Sequence, residues 1–490
     1  MAIMKTKILA LTMAAAAVFS SGCSLLDPTE VVNPNLTEDD LRDKGLLTMK
    51  PWLGGMARNL ALAYNEIVTP NEILSDNYAN TKTYYNQAFD FPRMNVADAD
   101  INDLIQYLSR LRSNAVYGLE VVKPADPTAT PSEEAELYFY KGLSHLWTAE
   151  LFVSAPVVGD GKPVPPAEQF DSAIVNFKKA LALSTDGDLK TGYNIVLARA
   201  YYYLGDKANA RKYAADAIAS NNRYVRSVAF DPVNTFTPAI SNILQDAMYR
   251  RGTFDDLQPL PRLDFLDPKC YTISSSEDSP IPLAKIEEAY LILAEADVAD
   301  NQLPAALNRV KDLIGVVNTR NKATFDDQAE GRDESNPGSR PNVATVRVAA
   351  SAGEPLIAGL VLDRGAPMVT VPVISGTSIN AANVTAANYP TVDAVLELIY
   401  LLRQEIFIGE GRRAVDLGFR YPVSFNEIVS NPNIENGDPA TVGRIPAFIP
   451  KNKEMDAFTY DKAAGTCTIK HNMNKVIVTN KASAEVVPFF

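Results

Sequence analysis

The chain has 490 residues, 47% hydrophobic and 21% charged, an ordinary globular balance with ample length for a large core in one large or two interlocked domains. A formal net charge of −13 argues against a nucleic-acid surface, because phosphate binding relies on clustered Lys and Arg. Two histidines, His145 and His471, and three cysteines leave charge-relay triads and His-based metal centres short of parts, and no CxxC or zinc-type spacing occurs.

At the N-terminus, Lys5 and Lys7 precede an apolar run from Ile8 to Phe19, broken only by Thr12, and then Ser20-Ser21-Gly22-Cys23. This reads as an export signal over residues 1–22, to be kept out of fold reasoning. Gly22 followed by Cys23 resembles a bacterial lipobox, in which the cysteine is acylated and becomes the first residue of the mature chain. The other readings are an ordinary cleaved signal and a transmembrane anchor; the apolar run, about a dozen residues, is well short of the roughly 20 needed to span a bilayer. Cys270 and Cys467 read either as a disulfide or as two buried thiols.

Trp52 marks the start of a first helix and reads as packing. After that helix, Asn77-Tyr78-Ala79-Asn80-Thr81-Lys82-Thr83-Tyr84-Tyr85-Asn86-Gln87 interleaves tyrosines with amides. Asp98, Asp100 and Asp103, and later Asp186-Gly187-Asp188, read as surface turns, since neither has the terminal Glu of an EF-hand loop.

The clearest helix opens at Thr130-Pro131-Ser132-Glu133, with Thr130 as N-cap, Pro131 at the first helical position and Glu133 closing a capping box. It runs to about Phe152 with Leu137, Tyr140, Ser144, Trp147 and Leu151 on one face, where His145 reads as structural and Trp147 as core. Pro156 and the stretch Gly159 to Pro166 then form a loop. A second helix carries Phe170, Ala173, Phe177, Ala180 and Leu181 on one side. Next, Leu197, Ala200, Tyr201, Leu204-Gly205, Ala210, Tyr213, Ala217 and Ile218 match the helix-turn-helix pattern of a tetratricopeptide repeat, turning at Gly205-Asp206.

The pattern returns over Ala284 to Val317, with a break at Gln302-Leu303-Pro304, and more loosely over Val392 to Phe419. Helix pairs at about 130–220, 284–318 and 392–420 predict a mainly α, solenoid-like scaffold. Between them lie long irregular stretches, 221–283 and 324–390, of a length that is usually functional or disordered. The first contains Tyr249-Arg250-Arg251-Gly252-Thr253-Phe254, a second aromatic and polar cluster.

The helix AELYFYKGLSHLWTAELFVSAPVV, the repeat LARAYYYLGDKANARKYAADAI, the helix IEEAYLILAEADVADNQLPAALNRVKDLI and the segment LLRQEIFIGEGRRAVDLGFRY follow one another as in SusD/RagB-like proteins. Arg403, Glu405, Gly411, Arg412, Asp416 and Leu417 resemble that family's R-x-E-x-x-x-x-x-G-R-x-x-x-D-L signature. Physically the signature reads as architecture: arginines and acids pair and cap helix ends, and Gly411 permits a turn. Glu287, Glu288 and Glu295 read the same way.

The resemblance implies a SusD-like helical domain over 23–490, lipidated at Cys23 with palmitate-type chains and held at the outer membrane. Its partner would be a SusC-like TonB-dependent transporter, and its ligand an oligosaccharide. It implies no catalysis, cofactor or metal. Asp27 and Glu30, the only acids soon after Cys23, are a thin version of the family's acidic surface-export signal. The family's sites are aromatic and amide-rich because a sugar's apolar face stacks on an aromatic ring while its hydroxyls bond to amides and charged groups. On that ground Asn77, Tyr78, Asn80, Tyr84, Tyr85 and Asn86, with Tyr249 and Arg250, are the expected ligand-binding residues. The absence of tryptophan from both segments departs from starch-type relatives. It favours a peptide-capturing RagB-like role as the alternative; a tetratricopeptide-type assembly adaptor, binding a partner protein and no small ligand, is a reading of a different class.

GxSxG, GxGxxG and Walker patterns are missing. Paired carboxylates for glycoside hydrolysis stay open, since 59 acids offer many pairs, but a helical-repeat scaffold differs from the usual barrel or sandwich hosts.

Overall fold

The computed structural model describes residues 47–80, 87–231, 257–269, 272–274, 277–325, 340–363, 366 and 368–490. Cys23, Tyr84, Tyr85, Asn86, Tyr249, Arg250 and Cys270 lie outside the described residues.

Helices dominate from Met49 onward, and several are started by a local device. In α1 (Met49–Ile73), Trp52 donates from Nε1 to the Asn114 carbonyl at 3.2 Å and packs on Tyr117. Asp98 caps α2 (Ala99–Tyr117), accepting from the Asp100 amide. The capping box expected at Thr130 and Glu133 is present at the start of α3 (Pro131–Leu151), with Pro131 at its first position. Leu137, Tyr140, Ser144, Trp147 and Leu151 are all buried, and Trp147 stacks on Tyr64 of α1 at 5.6 Å. Its ring is core.

Helix α3 pairs with α4 (Pro166–Leu183), and α5 (Gly187–Tyr203) with α6 (Lys207–Ser220). Asp186 caps α5 and Asp206 caps α6, so the aspartates that sequence reading set down as turns begin helices. Between them Gly205 takes φ +73°, a left-handed geometry that only glycine adopts without cost. The next pair is α7 (Glu287–Ala299) with α8 (Leu303–Val317).

Helix α9 (Val392–Phe407) packs against α7, but no second long helix follows it. Gly409, Gly411 and Gly418 all have positive φ, and the chain between the last two makes only a four-residue helical turn, Arg413–Asp416. The C-terminal α10 (Met473–Thr479) lies on α9.

Small sheets that the sequence did not announce join strands in the excursions to strands elsewhere in the chain. Strands β1 (Tyr78–Asn80) and β3 (Leu257–Pro259) pair antiparallel. A second sheet has the order β2-β5-β4, from Val225–Phe230, Glu277–Lys285 and Thr272–Ser274. Pro280 and Pro282 make β5 read as loop; the β2-β5 ladder shifts register in two places along this stretch, and bulges are where a sheet tolerates proline. Strands β6 (Lys322–Phe325) and β8 (Val369–Pro372) form a third, and β7 (Arg347–Ala349), β10 (Thr466–Ile469) and β9 (Phe458–Asp461) a fourth, in which β7 and β10 run parallel. Cys467 in β10 is a free, buried thiol, pushed up to about 12 by burial.

Candidate functional site

The signature segment after α9 forms a buried ionic hub. Arg403 grips Asp416 with two bonds of 3.0 and 2.7 Å. Arg412 reaches Glu288 on α7 at 2.7 Å, and the same carboxylate receives Arg199 of α5 at 2.7 and 2.8 Å. Arg413 binds Asp76, just beyond α1, at 2.6 Å. Burial alone would raise the Glu288 carboxyl, but the two guanidiniums overcome it and hold it at about 2.

Gly411 has φ +67°, and a Cβ there would lie 3.0 Å from the Ile67 carbonyl oxygen and from Val68 Cα, both backbone of α1. The turn therefore needs glycine. Glu405 accepts from Thr377 and Ser378, Glu287 from Arg320 and Ser375, and Glu295 from Tyr202. These acids join elements together, which is the architectural role their pattern implied.

Beside the hub, the chain leaves α1 through Asn77, Tyr78 and Asn80, all buried. Asn77 donates to Glu72 at 2.8 Å and accepts from Gln404 at 3.3 Å. The Asn80 amide donates to Asp90 at 3.3 Å, and the Asn80 carbonyl accepts from Lys453 Nζ at 2.9 Å. These residues therefore belong to the framework at the margin of segment 81–86.

Register then gives the most telling fact about this region: Asn80 is the ladder partner of Leu257. Asn80 is the last described residue before 81–86, and Leu257 the first after 232–256, so the β1-β3 ladder brings together the margins of both expected ligand segments. Arg340, first after 326–339, donates to the carbonyls of Gln258 and Pro259 on β3 and lies 5.0 Å over the Phe458 ring. Lys453 pairs with Asp90 at 2.6 Å.

Arg340, Lys453 and Asp90 were missed by sequence reasoning. Single charges in loops carry no local pattern, and each acts across a long separation, 373 residues in the Lys453 to Asn80 bond.

A separate groove of about 1080 Å³ runs beside α2, α3 and α4, lined by Arg112, Lys141 and His145 among others. His145 is buried, with Nδ1 2.7 Å from Gln169 Oε1, and burial drops its pKa to about 4, so it is neutral at pH 7. Among the described residues no group of three or more His, Cys, Asp or Glu is placed to hold a metal ion.

No family model matches the chain, and no curated protein matches it. Solved structures do. A candidate sugar-binding protein from Bacteroides vulgatus is 13% identical, with 79% of this chain and 98% of that chain covered at a TM-score of 0.53. A SusD superfamily protein from the same species is 12% identical, over 79% and 97% of the two chains, at 0.51. A SusD/RagB family protein from Bacteroides thetaiotaomicron is 12% identical, over 79% and 95%, at 0.50. The helix pairs and these superpositions agree: the chain has the SusD/RagB-like fold.

Proposed function

We propose that this protein is a non-catalytic glycan-capturing lipoprotein, anchored in the outer membrane through acylated Cys23 and facing the cell surface. It would pass its ligand to a SusC-like TonB-dependent transporter. The observation that carries the reading is the pairing of Asn80 with Leu257, which sets the margins of two aromatic and amide-rich segments side by side on a fold shared with SusD-like proteins. Tyr84, Tyr85 and Asn86 from one segment and Tyr249 and Arg250 from the other are the proposed ligand contacts, with Asn77, Tyr78 and Asn80 as the base that orients them. Tyrosine rings supply faces for sugar rings, and amides and guanidinium supply hydroxyl partners. Among the described residues no helix is long and apolar enough to cross a membrane.

Calorimetric titration with a panel of neutral oligosaccharides tests the ligand. Binding that Tyr84→Ala/Tyr85→Ala weakens by about tenfold or more is the expected result. Binding of peptides with no response to any oligosaccharide would move the protein to the peptide-capturing reading. For the anchor, Cys23→Ala is expected to shift the protein from the membrane pellet to the soluble fraction; retention in the pellet would overturn it.

A further inference from the structure

A pocket of about 320 Å³ lies between the start of α10, the first half of α9, the loop 350–357 and the stretch 379–389, with Arg262 entering from the turn after β3. It lies at the lower end of the roughly 300–1,000 Å³ of small-molecule sites, so it suits one small molecule rather than a polymer.

Its polar atoms are the reason to assign it. Arg262 is only 7% exposed and, among the described residues, has no hydrogen-bond or ion-pair partner, with Nε fully enclosed. Of the acids whose field it feels, Glu405 is held by Thr377 and Ser378 and Asp76 by Arg413, while Glu354 and Glu397 are not in contact with it. Asn474, 1% exposed, gives Nδ2 to Gln404 at 2.9 Å, while its Oδ1 is enclosed without a donor.

Opposite these, Asn472 Nδ2 donates to Glu354 at 3.2 Å and to Glu397 at 2.7 Å, and Glu354 also accepts from the Ser351 hydroxyl at 2.9 Å, which leaves Glu397 with one donor. Lys475 stands 3.7 Å from Glu354, on an exposed side chain. Burial and the Glu354 charge both raise the Glu397 carboxyl. The remaining wall is apolar, including Ile357, Leu398 and Leu401, with Tyr389 beside them.

The pocket thus holds a buried arginine without an acceptor among the described residues and, across from it, the Glu397 carboxylate with a single donor. A lone anion would meet two glutamates, and a lone cation would meet Arg262. A neutral sugar would leave the charges unmatched. One small ligand matches both ends, with an apolar part for the wall.

We propose that this pocket binds a free α-amino acid with an apolar side chain, its carboxylate on Arg262 and its ammonium on Glu397, beside Glu354. None of the residues lining the pocket is among the proposed glycan contacts.

Calorimetry on the full chain with L-leucine tests it, alongside N-acetyl-leucine, which lacks the ammonium, isopentylamine, which lacks the carboxylate, and glucose. Leucine is expected to bind, each analogue about tenfold or more weaker, with no heat from glucose. Glu397→Gln, on the pocket rim, and Arg262→Gln are each expected to weaken leucine about tenfold, whereas Tyr84→Ala/Tyr85→Ala leaves it unchanged. That last arm separates this site from the glycan reading, and the analogue series on the unaltered chain stands even if Arg262→Gln does not fold. Absence of leucine binding at millimolar concentration, or equal binding of glucose or of the analogues, would overturn the proposal.

Discussion

Arg199, Arg403, Arg412, Arg413 and Arg262 are all buried, yet the first four each meet a carboxylate at 2.7 Å or less while Arg262 meets none among the described residues. The hub spends its charges on joining α5, α7 and the chain beyond α1 to the signature turn. The pocket holds its charges apart at some cost in stability. A buried charge with its partner belongs to the fold, and one without a partner points to something the fold does not supply.

The comparison breaks most sharply at Glu288. Glu288→Ala would strand Arg199 and Arg412 in the interior and is expected to cost about 3–5 kcal/mol, read by urea unfolding; a loss under 1 kcal/mol would deny the hub its role. Acid tests the same group without mutation. Its carboxyl is held at about 2 in the folded protein against the ordinary 4.5, so its contribution is complete above about pH 4.5 and is lost as pH falls through about 2. The window corresponds to about 3 kcal/mol at most. Unfolding curves between pH 5 and 2 should steepen less in Glu288→Gln than in the parent.

Gly411→Ala is expected to cost about 1–3 kcal/mol, because its φ and the α1 backbone against it both oppose a Cβ. Arg262→Met sharpens the contrast by reversing the sign: removing an uncompensated buried charge should stabilise the protein by about 1 kcal/mol while abolishing leucine binding. Destabilisation by that variant would place Arg262 with the hub.

Much of the helical framework was legible because its signals are local. Thr130 and Glu133 lie three residues apart and form the capping box, and Gly205 marks the turn of a pattern repeated at fixed spacing. The signature's internal pair, Arg403 with Asp416, spans 13 residues and was legible as architecture, but the partner of Arg412 lies 124 residues away on another helix. Residues 78–80 look like the rest of their tyrosine and amide run. Only a ladder to residues 257–259, far along the chain, makes them a buried strand. Strand β5 hid behind its prolines. The Arg262 pocket had no local signature, because what defines it is the lack of partners, a property of packing that no spacing encodes.

The measurement that bears most directly on function is titration of neutral oligosaccharides into the parent protein and Tyr84→Ala/Tyr85→Ala, with melting temperature followed in parallel. Saturable binding that falls about tenfold in the variant, with the melting temperature of the free proteins unchanged, is the expected result. An unaltered affinity in the variant, or no binding of any oligosaccharide by the parent, would contradict glycan capture at the two segments whose margins the β1-β3 ladder joins.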